Sequence, residues 1–331
     1  MLRTEVISTG YYVPERVITN QDLTQWMDTS DDWIRQRSGI AERRWVDGGT
    51  GASDLAKEAA ERALESAGLE AGDLDCIILA TLSPDVYFPG SGVFLQRKLG
   101  IRDVPCLDVR NQCTGFIYGL AIADAWIRTG MFRRVLLVGT EVQSTGLILS
   151  TDGRDTAVLF GDGAGAAILG PTEDGDRGVL SVNIHADGRH AEKLWMEAPG
   201  SRYKPWLVPE QIERGLTRPV MEGREVFKHA VVKMPSAVKE ALAAVGLSLE
   251  DVDYVIPHQA NQRITQAVQK SLGLPEERVI SNIHKYGNTT AASIPIALHE
   301  AVADGRIQRG NLVALTAFGS GFTWGAALIR W

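Results

Sequence analysis

The sequence predicts an α/β fold made of two similar halves. Residues 63–78 (ALESAGLEAGDLDCII) and 241–256 (ALAAVGLSLEDVDYVI) are identical at seven of sixteen positions, with a constant offset of 178 residues and no gap. Each segment combines the end of an amphipathic helix, a glycine stop, an acidic turn and an apolar run typical of a buried strand. A duplicated helix–strand unit of this kind predicts two α/β layers packed about a pseudo-two-fold axis.

The elements that follow repeat the same order in both halves. In the first half an apolar run at 104–109 predicts a strand, which leads into a helix at 113–128 and a strand at 134–138. In the second half a helix at 289–303 precedes a strand at 311–315. Both predicted helices end next to a glycine, as helix C-termini commonly do.

Composition restricts the classes of function. A chain of 331 residues with 44% hydrophobic and 23% charged residues can bury a large core. The net charge of −7 disfavours nonspecific nucleic-acid binding. The three cysteines have neither metal-type nor paired spacing, so neither a metal site nor a disulfide framework is predicted. No apolar run approaches the length of a membrane span and the N-terminus does not begin as a signal peptide, so we expect a cytoplasmic enzyme without membrane contact.

Cys113 is the candidate nucleophile. It lies on the first turn of the helix predicted at 113–128, where the positive end of the helix is expected to lower the thiol pKa. His258 and Asn288 also follow predicted strands or open helices, and ligands of open α/β sheets bind at such ends. The three residues together indicate thioester chemistry, although each also has a structural interpretation: a buried thiol, a strand-end histidine and a helix N-cap. Cys76 and Cys106 lie within apolar strand runs and are expected in the core.

A glycine-rich segment at 160–165 superficially matches a dinucleotide-binding loop. The residues that follow, 166–170, read as a strand and are too short for the helix that such a loop requires, so this interpretation is rejected. The glycines are instead expected to form tight turns between strands.

Six short segments, in this order, give the chain a specific resemblance to a known family. They are 29–34 (TSDDWI), 37–40 (RSGI), 160–166 (FGDGAGA), 257–261 (PHQAN), 287–293 (GNTTAAS) and 317–325 (AFGSGFTWG). With them the sequence resembles β-ketoacyl-acyl carrier protein synthase III, of the thiolase superfamily, over nearly its whole length. The resemblance implies a thiolase-like, duplicated five-layered αβαβα sandwich and a homodimer. It divides the chain into an N-terminal half, 1–171, with the nucleophilic cysteine, and a C-terminal half, 172–331, with the histidine and asparagine.

Other branches of the superfamily fit the residues less well. Thiolases use a second cysteine near the C-terminus, whereas all three cysteines here precede residue 114. Elongating ketosynthases have a histidine where this chain has Asn288. Branches that use a glutamate base have no counterpart that we can place, and type III polyketide synthases tend to be longer with a different C-terminal glycine loop.

The resemblance implies a role for each candidate catalytic residue. Cys113 would carry the acyl group as a thioester. His258 and Asn288 would donate hydrogen bonds to the enolate oxygen that forms when a malonyl thioester loses carbon dioxide. The backbone N–H groups of Cys113 and Ser320 would form the oxyanion hole. Ser320 stands where the family often has glycine, which leaves the local conformation of that loop to be tested.

Binding residues are implied in the same way. Trp33 and Arg154 match positions that enclose the adenine of coenzyme A, and Arg37 and Arg224 are assigned to the same ligand. The alternative interpretation of Trp33 is that its ring packs in the core and contacts no ligand. Arg224 replaces a small polar residue near the pantetheine tunnel.

Lys228 and Arg263 are assigned to docking of the acidic acyl carrier protein, with a solvated helix face as the alternative. Phe88 matches a loop that reaches the neighbouring subunit's acyl pocket, or else is a surface aromatic. The segment 194–220 is longer than the connection usual in the family at this place, and its sequence shows no evident structure. We expect it to line the acyl entrance, so that the primer could exceed acetyl.

These observations predict an acyltransferase that condenses an acyl-CoA primer with malonyl-acyl carrier protein, releasing carbon dioxide. Coenzyme A enters as a thioester substrate, and no metal or other cofactor is expected. Three alternatives stay open: acyl transfer to an oxygen or nitrogen nucleophile, a ketosynthase of a specialised secondary-metabolite pathway, and a noncatalytic subunit of a heterodimer. The intact Cys, His and Asn set argues against the last.

Overall fold

The computed structural model describes residues 2–331, whose regular elements alternate as the sequence predicts. The strands are β1 (Arg3–Tyr12), β2 (Val17–Thr19), β3 (Glu42–Arg44), β4 (Cys76–Ala80), β5 (Cys106–Val109), β6 (Val135–Glu141), β7 (Gly163–Thr172), β8 (Gly178–Ala186), β9 (Leu194–Trp195), β10 (Val220–Met221), β11 (Tyr254–Pro257), β12 (Leu312–Gly319) and β13 (Thr323–Arg330).

The α-helices connect these strands across the two halves. They are α1 (Asn20–Leu23), α2 (Asp31–Ser38), α3 (Ala52–Ala67), α4 (Ser91–Lys98), α5 (Gly115–Arg128), α6 (Arg154–Ala157), α7 (Pro209–Glu213), α8 (Gly223–Ala243), α9 (Gln262–Leu272), α10 (Ile283–Tyr286) and α11 (Ser293–Ala303). Within residues 2–331, none of these helices has both the length and the apolar character of a membrane span.

The two sheets share one topology. The first has the strand order β1-β7-β6-β4-β5 and the second has β11-β12-β13-β8. Read from its other end, the second sheet matches the first strand for strand, except that β5 has no counterpart. In the first sheet β4 pairs in parallel with both β5 and β6, and in the second sheet β11 pairs in parallel with β12. The remaining pairs of both sheets are antiparallel. The predicted boundary between residues 171 and 172 falls at the end of β7.

The helices and sheets form five layers, as the resemblance implied. α5 and α11 lie between the sheets, and one apolar cluster joins Ile117 of α5 and Ile294 of α11 to Leu137 of the first sheet and Leu315 of the second. Helices α3 and α4 cover the outer face of the first sheet. Helices α8 and α9 cover the outer face of the second. The αβαβα sandwich is therefore confirmed.

Both central helices begin with a distorted turn. The helix predicted from residue 113 starts as a 3₁₀ turn, Gln112–Thr114, before α5, and its counterpart Thr290–Ala292 precedes α11. Gln112 and Thr290 are separated by the same 178 residues as the sequence repeat, and both have positive φ, 44° and 43°. Non-glycine residues rarely adopt this conformation, so its repetition shows that the two turns have the same backbone geometry. The turns Gln112–Thr114 and Thr290–Ala292 are called the two elbows below.

Small residues allow these two elbows to touch. A Cβ atom added to Gly139 of β6 would lie 2.2 Å from the carbonyl oxygen of Ala291, and one on Gly115 would lie 3.5 Å from the Ala291 Cβ. Gly139 is the glycine that this contact requires, since 3.5 Å at Gly115 is an ordinary van der Waals distance. Gly119, one helical turn further along α5, faces Leu137 of the first sheet.

The glycine-rich segment 160–165 differs from its prediction, and the two strand cysteines are buried to different extents. Gly163 and Gly165 lie inside β7, so the expectation of tight turns between strands is wrong for them. They are small because α11 crosses the strand there: a Cβ on Gly165 would lie 2.7 Å from the Pro295 Cβ. Cys76 is buried at the start of β4, as predicted, whereas Cys106 at the start of β5 is only half-buried and packs at the edge of the core.

We predict that Gly165→Ala destabilises the protein by about 1–3 kcal/mol, because the added methyl group forces α11 away from β7. Gly175→Ala is the matched control, since no atom lies within 4 Å of the position its Cβ would take. Chemical unfolding of both variants measures the difference. Equal stability of the two variants would show that α11 does not press on β7.

Candidate active site

Cys113 lies on the 3₁₀ turn before α5, at the end of the first sheet, and its side chain is partly accessible. The loop 319–321, between β12 and β13, packs directly on it: a Cβ on Gly319 would lie 2.9 Å from the Cys113 Cβ. A hydrogen bond of 2.8 Å between the hydroxyls of Thr114 and Thr323 holds the two segments together. The loop expected to supply an oxyanion donor is therefore in contact with the nucleophile.

The loop accommodates serine at position 320 without strain. Gly321 has a φ of 135°, which favours glycine, whereas Ser320 is not among the described residues with positive φ. The Ser320 hydroxyl donates a hydrogen bond to the Leu194 carbonyl. The serine thus ties the loop to the base of the segment 194–220.

The electrostatic environment of Cys113 differs from the sequence expectation. Burial and the nearby Glu141 carboxylate raise the pKa of the Cys113 thiol to about 12, and its own backbone N–H only partly opposes them. Glu141 is buried at the end of β6, and it accepts hydrogen bonds from Ser83 Oγ at 2.7 Å and Gln143 Nε2 at 3.0 Å. The lowered pKa expected from the helix start is therefore wrong, and the free protein holds a neutral thiol at pH 7.

His258 follows β11 with its ring buried. Its Nδ1 lies 2.7 Å from Ser293 Oγ, at the start of α11. Its Nε2 is buried and has no hydrogen-bond partner among residues 2–331. Burial lowers the pKa of His258 to about 3, so the imidazole is neutral at pH 7. A buried nitrogen without a protein partner indicates a place for a ligand atom.

Asn288 is held by its backbone and by one side-chain atom. Its N–H donates to the Leu159 carbonyl at 2.8 Å, and its carbonyl accepts from Gly161 N–H at 3.1 Å. Its Oδ1 accepts from the backbone N–H of Thr290 at 2.9 Å. The N-cap of the turn that follows is Thr289, so the structural interpretation of Asn288 as a helix N-cap is wrong. The Oδ1 contact orients the side chain so that the amide nitrogen remains as a donor.

The contact between the two elbows brings these residues into one region. The turn Gln112–Thr114 packs against Thr290–Ala292. That second turn begins two residues after Asn288 and ends one residue before Ser293, the partner of His258. The nucleophile of the first half and the two polar residues of the second half therefore meet at the pseudo-two-fold axis.

The residues assigned to adenine also lie together. The guanidinium groups of Arg37 and Arg154 lie 4.2 and 4.5 Å from the centre of the Trp33 ring. Arg154 also donates a hydrogen bond to the Asp28 carbonyl at 2.5 Å. Trp33 is only half-buried, so core packing explains the position of its buried face. Core packing does not explain why two guanidinium groups lie over the ring.

The other predicted cations are dispersed. Arg224 and Lys228 are exposed on the first turns of α8, and no ion pair involves them within residues 2–331. Arg263 is exposed on α9, but its guanidinium donates two hydrogen bonds, of 3.1 and 2.7 Å, to the Gln36 carbonyl. Arg263 therefore links α9 to α2 as well as presenting charge.

The segment 194–220 has more structure than its sequence suggested. β9 and β10 pair at its base, with Trp195 opposite Val220, and α7 lies within it. Its Trp206 ring lies 4.8 Å from Tyr87, next to Phe88, which is 74% exposed. The segment therefore lies against the loop that carries Phe88. Its expected place at the acyl entrance and its effect on primer length stay predictions.

Comparison with known proteins places this geometry in a family. Residues 107–188 match the family described as 3-oxoacyl-[acyl-carrier-protein] synthase III, and residues 242–331 match the C-terminal domain of the same family. The β-ketoacyl-[acyl-carrier-protein] synthase III of Caldanaerobacter subterraneus subsp. tengcongensis is 48% identical over 326 residues, which cover 98% of this chain and 97% of that protein. The chain belongs to the β-ketoacyl-[acyl-carrier-protein] synthase III family.

Solved structures of the synthase III family agree with this assignment. The 3-oxoacyl-[acyl-carrier-protein] synthase III from Aquifex aeolicus has a TM-score of 0.91 at 43% identity. The match covers 99% of this chain and 100% of the Aquifex chain. The priming β-ketosynthase of the R1128 polyketide biosynthetic pathway has a TM-score of 0.89 at 32% identity, with coverage of 98% and 95%. The similarity therefore extends to a ketosynthase of a specialised pathway.

Two residues of this site, Glu141 and Ser293, were not predicted from the sequence. Glu141 reads as the polar end of a buried strand, and nothing local indicates that it approaches Cys113. Ser293 is the last residue of the segment 287–293 that carried the resemblance, and it was given no role. The only available signal was the repeat offset of 178, which aligns Ser293 with Gly115 at the start of the other central helix.

We predict that alkylation of Cys113 in the free protein accelerates with pH without a plateau below pH 9, because the thiol pKa is raised. Glu141→Gln removes the nearby negative charge, so alkylation at pH 8 should become roughly three- to tenfold faster. Peptide mass spectrometry after timed iodoacetamide treatment measures both.

The control is Glu58→Gln on the surface of α3, which should leave the alkylation profile unchanged. An early plateau in the unmodified protein, or identical profiles for the two variants, would contradict the proposed influence of Glu141.

Proposed function

We propose that this chain is an acyltransferase that condenses an acyl-CoA primer with malonyl-acyl carrier protein, through a thioester on Cys113. The observation that carries the proposal is the state of His258, which is buried and neutral. Its Nε2 has no protein partner among the described residues, and the residue lies in one region with Cys113 and Asn288. Such an arrangement suits a reaction that needs a nucleophile and uncharged donors for an enolate oxygen.

In the first half-reaction, the Cys113 sulfur attacks the thioester carbonyl of the acyl-CoA. The backbone N–H groups of Cys113 and Ser320 are proposed to stabilise the oxyanion, since loop 319–321 packs on the cysteine. The bond to the coenzyme A sulfur breaks, and coenzyme A leaves as a thiol with the proton that Cys113 loses. Because the thiol is neutral before binding, this proton transfer accompanies the attack.

In the second half-reaction, the malonyl thioester loses carbon dioxide. The electrons of the broken carbon–carbon bond form an enolate, whose oxygen accepts hydrogen bonds from His258 Nε2 and the Asn288 amide. The enolate carbon then attacks the acyl carbonyl on Cys113, and the cysteine sulfur leaves as a thiolate, which takes a proton from solvent to restore the neutral thiol. A histidine with a pKa near 3 is suited to this role, because it stays a neutral donor at every pH at which the enzyme would work.

Coenzyme A is proposed to bind at the group of Trp33, Arg37 and Arg154. Planar cations stacked on an aromatic ring can separate to admit an adenine between them. Arg224, at the start of α8, is assigned to the same ligand. No other cofactor takes part in the proposed reaction.

Lys228 and Arg263 are proposed to dock the acidic carrier protein, supported by their exposed positions on α8 and α9. We further propose a cytoplasmic homodimer in which Phe88 enters the acyl pocket of the neighbouring subunit. The exposure of three consecutive apolar side chains supports this, because contiguous exposed apolar surface often marks an interface: Val86, Tyr87 and Phe88 are 44%, 52% and 74% exposed.

A second candidate is priming of a specialised pathway with a primer other than acetyl. The similarity to the R1128 priming β-ketosynthase favours it, as does the structured segment 194–220 beside the Phe88 loop. This candidate keeps the same chemistry and changes only the acyl group.

Intact-protein mass spectrometry after incubation with acyl-CoAs of two to twelve carbons tests the proposal. We expect a mass increase that follows the acyl chain and is absent from Cys113→Ala. The longest acyl group transferred distinguishes the two candidates. Acylation that persists in Cys113→Ala, or no acylation by any acyl-CoA, would refute the assigned first half-reaction.

A further inference from the structure

The two ring nitrogens of His258 have very different surroundings. Nδ1 lies 2.7 Å from the hydroxyl oxygen of Ser293, whereas Nε2 has no partner among residues 2–331. The ring is only 2% exposed, so water does not compensate freely for the missing partner. A neutral imidazole carries one proton, and its position decides whether Nε2 can donate or only accept.

The surroundings of Ser293 determine which way its hydroxyl donates. The backbone N–H of Gln259 lies 3.4 Å from Ser293 Oγ and donates to it. A hydroxyl oxygen can accept two hydrogen bonds, but its single hydrogen needs an acceptor, and among residues 2–331 the only acceptor in contact with Ser293 Oγ is Nδ1. A protonated Nδ1 would leave this buried hydrogen without a partner, so the Nδ1 nitrogen is unprotonated and the ring proton is on Nε2.

The buried position of Ser293 at the start of α11 restricts the orientation of its hydroxyl. Ser293 is the first residue of α11, is 2% exposed and follows directly on the elbow that touches the Cys113 turn. No carboxylate of the described residues bonds to the His258 ring, so the hydroxyl sets the tautomer without favouring the imidazolium form. The opposite tautomer would direct a lone pair from Nε2 toward the enolate oxygen and oppose decarboxylation.

We infer that Ser293 is a positioning residue that fixes His258 with its proton on Nε2, so that His258 can donate to the enolate oxygen. The inference deepens the proposed function and rests on it for its consequence in catalysis. The tautomer itself is a property of the free protein and can be measured without substrate.

Long-range ¹H–¹⁵N spectra of the full chain labelled with ¹⁵N-histidine test the tautomer. We expect His258, assigned by the signals missing from His258→Gln, to show a protonated Nε2 and an unprotonated Nδ1. In Ser293→Ala the Nδ1–H form should appear, and in Ser293→Thr, which keeps the hydroxyl, the Nε2–H form should persist. Ser281→Ala is the matched control, because the Ser281 hydroxyl bonds Gln259 Oε1 at 2.8 Å and not the ring.

The same variants test the consequence for the reaction. Malonyl decarboxylation on acylated enzyme should fall about 10- to 100-fold in kcat in Ser293→Ala, with little change in KM, and recover in Ser293→Thr. His258 spectra that are the same in Ser293→Ala and the unmodified protein would overturn the inference. If the unmodified protein releases no carbon dioxide at all, the proposed function fails, while the spectra still decide whether Ser293 sets the tautomer.

Discussion

The contact between the two central elbows is the constraint on which the rest of the structure depends. Gly139 leaves no room for a side chain where Ala291 reaches the axis, and Gly115 is confined by Ala80 of β4 on the other side of the turn. This closeness allows the two central helices to share one apolar layer between the sheets. It also means that a nucleophile from one half and polar side chains from the other are adjacent without any flexible connection.

The region formed by this contact is polar but contains neutral reacting groups. Cys113 is a thiol and His258 an uncharged imidazole, because burial disfavours their charged forms. Glu141 is nearby, and its carboxylate is held by donors from neighbouring segments rather than paired with a cation. Fixed hydrogen-bond donors, rather than an ion pair, are therefore the means by which this site can stabilise developing negative charge.

Much of this arrangement could be predicted from the sequence, because the repeat offset aligns secondary structure across the halves. The offset of 178 places both elbows, and local motifs identified Cys113, His258 and Asn288. The proximity of Glu141 could not be predicted, since it depends on how β6 packs against a distant turn. The sign of the Cys113 pKa shift was missed for the same reason: burial and a neighbouring charge outweigh the helix start, and neither is visible in local sequence.

The central claim is that both halves act on one reaction in which carbon dioxide is lost. The most direct measurement is a single-turnover chase of enzyme acylated on Cys113 with malonyl-acyl carrier protein, following the acyl group and carbon dioxide together. The account predicts one carbon dioxide for each acyl group that leaves Cys113 as a β-ketoacyl thioester, and a rate about 10²- to 10³-fold lower in His258→Ala. Transfer of the acyl group to an oxygen or nitrogen nucleophile without carbon dioxide would contradict it, as would an unchanged rate in His258→Ala.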